Sequence, residues 1–164
     1  MDDRSPHLAF ARALAAPAGQ PAASFAALRR LADELVGARL FTVLAFDLPA
    51  RLMWRRFSTD EALYPIDVAD PIGDTIWERT LIGARQPLVL NSPEAMATLL
   101  PNVPELVERG CAAMLNLPVV VAGEALGAVN LLAEAGRYTP DRVDAARELV
   151  PAAAAILCWM RATG

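Results

Sequence analysis

The chain contains no lysine; all 15 of its basic residues are arginine. That absence excludes Schiff-base chemistry, a P-loop lysine and any lysine-attached cofactor. Histidine is almost missing as well. His7 stands alone near the N-terminus, so Ser58 and Ser92 have no imidazole within reach to activate them. Cys111 and Cys158 are the only cysteines, and no C-x-x-C, H-E-x-x-H or other metal-ligand spacing occurs. Both sit in apolar stretches and are expected as small buried core residues rather than as a disulfide. Charges or prolines interrupt every apolar run well short of the roughly 18 residues that span a bilayer. Met1-Asp2-Asp3-Arg4 offers no cationic stretch leading into an apolar one, so no secretory signal is expected and the chain reads as cytoplasmic. A net charge of −4 and a pI near 5.0 give no basic footprint for nucleic acid.

What is present is apolar mass: 55% hydrophobic residues and a mean hydropathy of +0.32, within 164 residues. That length suits one domain with a single core. Residues 1–20, rich in Ala, Pro and Gly, read as a flexible or short-helical extension outside the core, with Ser5-Pro6 opening a short helix to Leu14. The remaining 21–164 form the domain. Ser24 predicts an N-cap for a helix over Phe25–Val36, which Gly37 ends. Leu40–Phe46 reads as a central strand and the more polar Leu52–Ser58 as a strand nearer an edge.

From Thr59 to Glu78 the pattern becomes irregular and acidic, without the regular oxygen-ligand spacing of a calcium loop. Thr75-x-x-Glu78 predicts a capping box for a helix to Gly83. A third strand is expected at Pro87–Leu90, a helix from Ser92 or Pro93 to Leu100, and one more turn over Glu105–Arg109. Residues 112–121 and 125–133 form a long hairpin around Ala122-Gly123-Glu124. Thr139 and Pro140 start a closing helix, where Val143, Ala146, Val150, Ala153, Leu157 and Met160 make one apolar stripe, and Pro151 should kink it. The order is α+β: an antiparallel sheet with the terminal helices on one face and the middle excursion on the other.

Three stretches carry a family resemblance: Leu115-Asn116-Leu117-Pro118-Val119-Val120-Val121 with the Gly123 turn, Leu126-Gly127-Ala128-Val129-Asn130-Leu131, and Tyr138-Thr139-Pro140-Asp141. With the hairpin and closing helix they resemble a GAF domain, a small-molecule sensing fold related to PAS domains, over about residues 24–160. Arg56-Phe57-Ser58, Tyr64-Pro65, Asp74-Thr75-x-Trp77 and Leu131-Leu132 look most like stand-alone bacterial GAF proteins. The free methionine-R-sulfoxide reductase built on this fold needs a nucleophilic and a resolving cysteine. Here Cys111 lies too close to the Pro118 strand, no cysteine occurs between residues 59 and 110, and that enzyme's paired aspartates fall at Asn130 and Leu132. The Cys-His neighbourhood of bilin-binding members and the Asn-Lys motif of cyclic-nucleotide members are also missing.

The resemblance implies a pocket on the excursion side of the sheet. If its register carries over, strand alternation aims Thr42, Leu44 and Phe46 there, with Met114 and Asn116 from the fourth strand and Ala128, Asn130 and Leu132 from the fifth. Asn116 and Asn130 must find partners inside apolar strands, either the backbone of covering loops or a ligand. Tyr64 and Trp77 form an aromatic lid or simply pack the excursion on the sheet. Arg55 and Arg56 point to opposite faces, so at most one reaches an anion, and a solvated edge suits both.

Three functions stay open. The first is a non-catalytic sensor for an unknown small molecule, with no cofactor. It would dimerise through the terminal helices, with Trp159 and Met160 exposed there, unless that stripe only covers a monomer's sheet. The second is an interaction module whose pocket is filled by Met114, Phe46 and Trp77. The third is a small enzyme using carboxylates or amides.

Overall fold

In a computed structural model, residues 5–163 are described. Six antiparallel strands form one sheet in the order β3-β2-β1-β6-β5-β4. The strands are β1 (Leu40–Asp47), β2 (Leu52–Ser58), β3 (Ala69–Pro71), β4 (Leu88–Leu90), β5 (Ala113–Val121) and β6 (Glu124–Ala133). Strand alternation splits this sheet cleanly. Phe41, Val43, Leu115, Leu117, Val129 and Leu131 face one side and join the main core. Their neighbours Leu40, Leu44, Met114, Ala128 and Leu132 face the other.

The first face is covered by helices. These are α1 (Pro6–Leu14), α2 (Ala22–Leu35), α6 (Pro140–Ala146) and α7 (Leu149–Thr163). α2 buries Phe25, Leu28, Leu31 and Ala32 at helical spacing, each larger side chain contributing about 1.5–3 kcal/mol. Gly37, at φ +71°, ends it by donating to the Ala32 carbonyl at 2.9 Å. Gly127 permits a close approach of β1 and α7 to β6. A Cβ there would lie 2.0 Å from the Leu44 carbonyl oxygen and 2.7 Å from Leu157 Cδ1.

Several expectations need correcting. Phe10, 7% exposed, is part of the main core, so α1 packs into the core rather than lying outside it; residues 1–4 (Met1-Asp2-Asp3-Arg4) fall outside the described residues. Ser24 is not an N-cap. It lies buried inside α2 and donates to Gln20 Oε1 at 2.5 Å, while Gln20 Nε2 donates to the Ala13 carbonyl at the end of α1. One amide thus ties two helices together. Thr139 occupies the cap position of α6 but makes no side-chain cap bond.

Pro151 produces a break rather than a kink. Lacking an N–H for the Arg147 carbonyl, it falls in the first turn of α7, where no donor is needed, and the helix is interrupted at Arg147-Glu148. Cys158 is exposed, and Met160 is half-buried against the core while Trp159 stays 40% exposed.

The hairpin turn comprises two residues, Ala122 and Gly123, both at positive φ, the geometry that matches strand twist. On the second face the excursion supplies β3, absent from the sequence expectation, then α3 (Ile76–Glu78) running into a π-helical segment, Arg79–Ala84. α4 (Pro93–Ala97), with Ser92 accepting from the Ala95 N–H at 3.2 Å, and α5 (Val103–Glu108) follow. Pro104 belongs to the first turn of α5.

Candidate functional site

Between the second sheet face and the excursion lies a cavity of about 290 Å³. Its floor is built by alternation: Leu40, Thr42 and Leu44 from β1, Asn130 and Leu132 from β6, and Met114 and Asn116 from β5. Tyr64 and Trp77 wall it from the excursion, and Leu99 and Leu100 close it beyond α4. Thr42, Asn130 and Asn116 are in direct cross-strand register on β1, β6 and β5. Asn116 Nδ2 donates to Asn130 Oδ1 at 2.6 Å, and Asn130 Nδ2 donates to Thr42 Oγ1 at 3.0 Å. All three residues are buried.

The asparagines therefore neither hold covering loops nor stand free; they form a polar ladder across three strands. It does not close on itself. Asn116 Oδ1 is buried and has no hydrogen-bond partner. A buried amide oxygen without a donor costs on the order of 1–3 kcal/mol. Thr42 both accepts and donates, so flipping both amides would reverse the ladder and offer a donor at the same place.

Two expected lining residues are missing from the cavity: Ala128, which packs with Leu44 and Leu81, and Phe46. Phe46 sits at the far end of β1, beyond the last β6 pair at Ala45, opposite Met53 of β2. There it meets Trp77 edge-on, with ring centroids 6.0 Å apart, and holds that indole at the cavity wall.

Sequence reasoning missed the β2 side. Between Val43 and Leu44 the β1–β2 register shifts, and Arg56 is the extra residue. The bulge turns Arg55 and Met53 onto the cavity face, opposite Leu44 and Phe46. Arg56 instead pairs with Asp67 at 2.9 Å and lies over the Trp54 ring. The Arg55 guanidinium stacks on Tyr64, 4.9 Å from the ring centroid, and Nη1 donates to the Pro65 carbonyl at 3.1 Å. Its Nε is buried without a partner. Burial lowers the Arg55 pKa, opposed by the nearby charges of Asp70 and Tyr64.

Asp70 also lines the cavity from β3, diagonal to Arg55 across the β2–β3 pair. The capping box foreseen at Thr75 and Glu78 is formed, with the Thr75 N–H donating to Glu78 Oε2 at 2.8 Å and the Thr75 hydroxyl donating to the same oxygen. Gly73 N–H adds a third donor at 3.2 Å. Desolvation pushes the Glu78 pKa up, but these donors from Thr75 and Gly73 together pull it down.

Cys111 is buried in one cluster with Met114, Leu40 and Leu132, and desolvation raises its pKa against the pull of Arg39 and Arg109. No group of three potential metal ligands occurs among the described residues, and no helix there is long and apolar enough to cross a membrane.

The same architecture recurs in solved structures. The GAF domain of a phosphoenolpyruvate-protein phosphotransferase from Coxiella burnetii superposes with a TM-score of 0.73, covering 97% of this chain and 94% of that one at 18% identity. The chain has the GAF fold. A GAF domain/HD domain protein from Geobacter sulfurreducens gives a TM-score of 0.67 over 84% of this chain and 91% of its own, at 24% identity. The GAF domain of a two-component sensor histidine kinase from Bacillus halodurans gives 0.67 over 85% and 95%, at 12% identity. No family model matches the chain, and no curated protein matches its sequence. The likeness is therefore one of fold.

Proposed function

We propose that this GAF-fold domain is a non-catalytic sensor that binds a small molecule in the cavity over the asparagine ladder. The observation that carries the reading is the open volume of about 290 Å³ beside a buried amide oxygen that no protein group satisfies. That volume lies near the lower end of the roughly 300–1,000 Å³ usual for small-molecule sites, and mostly apolar walls with a few convergent polar groups fit such a role. A closed-pocket scaffold would instead have Phe46 and Trp77 filling the space, whereas here they pack against each other at its wall. A thiol enzyme is disfavoured because Cys111 is buried and desolvation raises its pKa. The sensor histidine kinase whose GAF domain shares this fold adds support at the level of fold.

A thermal-shift screen against metabolites of neutral, anionic, cationic and zwitterionic classes tests the reading. A ligand at about 100 times its Kd adds roughly 2.7 kcal/mol, raising Tm by about 5–10 °C. One chemically coherent class of hits is expected. Silence across all classes, with no shift of cavity-residue NMR signals, would refute it.

A further inference from the structure

The cavity carries two opposite charges that sense each other without touching. Arg55 and Asp70 both line it, yet among the described residues neither forms a contact ion pair and Asp70 makes no side-chain hydrogen bond. Their placement is a consequence of strand register. Met53 faces Asp70 directly, and Arg55 follows two residues along the same face of β2, so the two are diagonal neighbours about 7–8 Å apart at the backbone. Arg55 is kept from collapsing onto Asp70 by the Tyr64 ring and the Pro65 carbonyl. Tyr64 is itself held from the other side, its hydroxyl accepting from Asn102 Nδ2 at 3.4 Å. A fixed guanidinium with Nη2 unengaged is preorganised for a carboxylate.

We infer that the ligand is a compact zwitterion of the α-amino acid class, its carboxylate on Arg55, its ammonium on Asp70, and an apolar side chain over Leu40, Met114 and Leu132. This rests on the sensor reading and adds its chemistry. A phosphate or dicarboxylate would meet the negative charges of Asp70 and Glu78 in the same cavity, while a simple amine would leave Arg55 unpaired in a partly desolvated place. Only a ligand with both signs answers both residues. Glu78 is committed to its capping box, which leaves Asp70 as the acceptor for the ammonium. The rest of the lining is dominated by Leu and Met side chains with the Trp77 indole, surroundings for an aliphatic or thioether side chain.

Isothermal titration of the purified chain with L-leucine, L-methionine and L-phenylalanine, and with 4-methylpentanoate and 3-methylbutylamine as leucine lacking one charged group, tests it. At least one of the three amino acids should bind, and for leucine the loss of either group should weaken binding at least 30-fold. Arg55→Gln should weaken amino acid and carboxylate alike by tenfold or more. Asp70→Asn should weaken the amino acid tenfold but leave the carboxylate unchanged. The proposal is overturned if the carboxylate or the amine binds as well as leucine, or if Asp70→Asn leaves amino acid affinity intact. The analogue series on the unaltered chain decides the matter even if a variant folds poorly. Silence toward all three amino acids, with a hit of another class in the wider screen, would refute this inference and leave the sensor reading standing.

Discussion

Replacing Asn130 by leucine removes the middle rung of the ladder. Two hydrogen bonds disappear, at 2.6 Å to Asn116 and at 3.0 Å to Thr42. Asn116 then has no partner for either end of its amide, because its Oδ1 already lacks one, and Thr42 loses its donor. Two newly unpaired buried groups cost about 1–3 kcal/mol each, and the extra apolar burial of leucine offsets on the order of 1 kcal/mol. The net loss should be about 2–4 kcal/mol, a large share of the roughly 5–15 kcal/mol that holds a domain together. The decisive comparison is the triple variant Thr42→Val, Asn116→Leu, Asn130→Leu. It leaves no polar group stranded, so it should lie within about 1 kcal/mol of the parent. Urea denaturation, with slopes checked for constancy, measures all three proteins. The reasoning fails if the single variant matches the parent, or if the triple variant is no more stable than the single one.

Three further outcomes are expected. A thiol reagent should label one cysteine, Cys158, in the native chain and Cys111 only after denaturation, since the first is exposed and the second buried; two fast thiols would contradict the packing. Gly127→Ala should cost about 3 kcal/mol or more, because its Cβ would meet the Leu44 carbonyl oxygen at 2.0 Å, whereas Gly83→Ala, with open space around it, should stay within about 1 kcal/mol by the same denaturation assay. Glu78 has a folded pKa below its unfolded value, so its contribution to stability is present above the unfolded value of about 4.3 and is lost as pH falls through the folded one. Melting curves from pH 6 to pH 3 should therefore decline less steeply for Glu78→Gln than for the parent, and parallel curves would rule out that role.

The legible part of the site was the part governed by strict alternation. On β1, β5 and β6, apolar runs without interruption place Thr42, Met114, Asn116, Asn130 and Leu132 on one face, and they do line the cavity. Phe46 obeys the same parity but stands past the end of the β1–β6 pairing, a limit that only the partner strand defines. The ladder depended on the register of three strands at once, so bonding of the two asparagines to each other was not readable from either strand alone. β3 was hidden because Ala-Asp-Pro has no strand propensity; its edge position tolerates the proline. The bulge at Arg56 left no mark either, having no glycine to betray it. Pro151 announced a disruption, but where the helix gave way was decided by the carbonyl four residues upstream.

That bulge gives the pocket a second way to change. Two arginines sit side by side on β2, and the single surplus residue decides which of them looks inward. Were the bulge to pair out regularly with its residue kept, Arg56 would replace Arg55 opposite Leu44, and Trp54 would replace Met53 opposite Phe46. A pocket of this build could thus exchange a thioether wall for an indole one through a change of register alone, with its sequence untouched. Comparing such domains column by column would align residues that point in opposite directions, so their specificities are better compared by strand register than by residue identity.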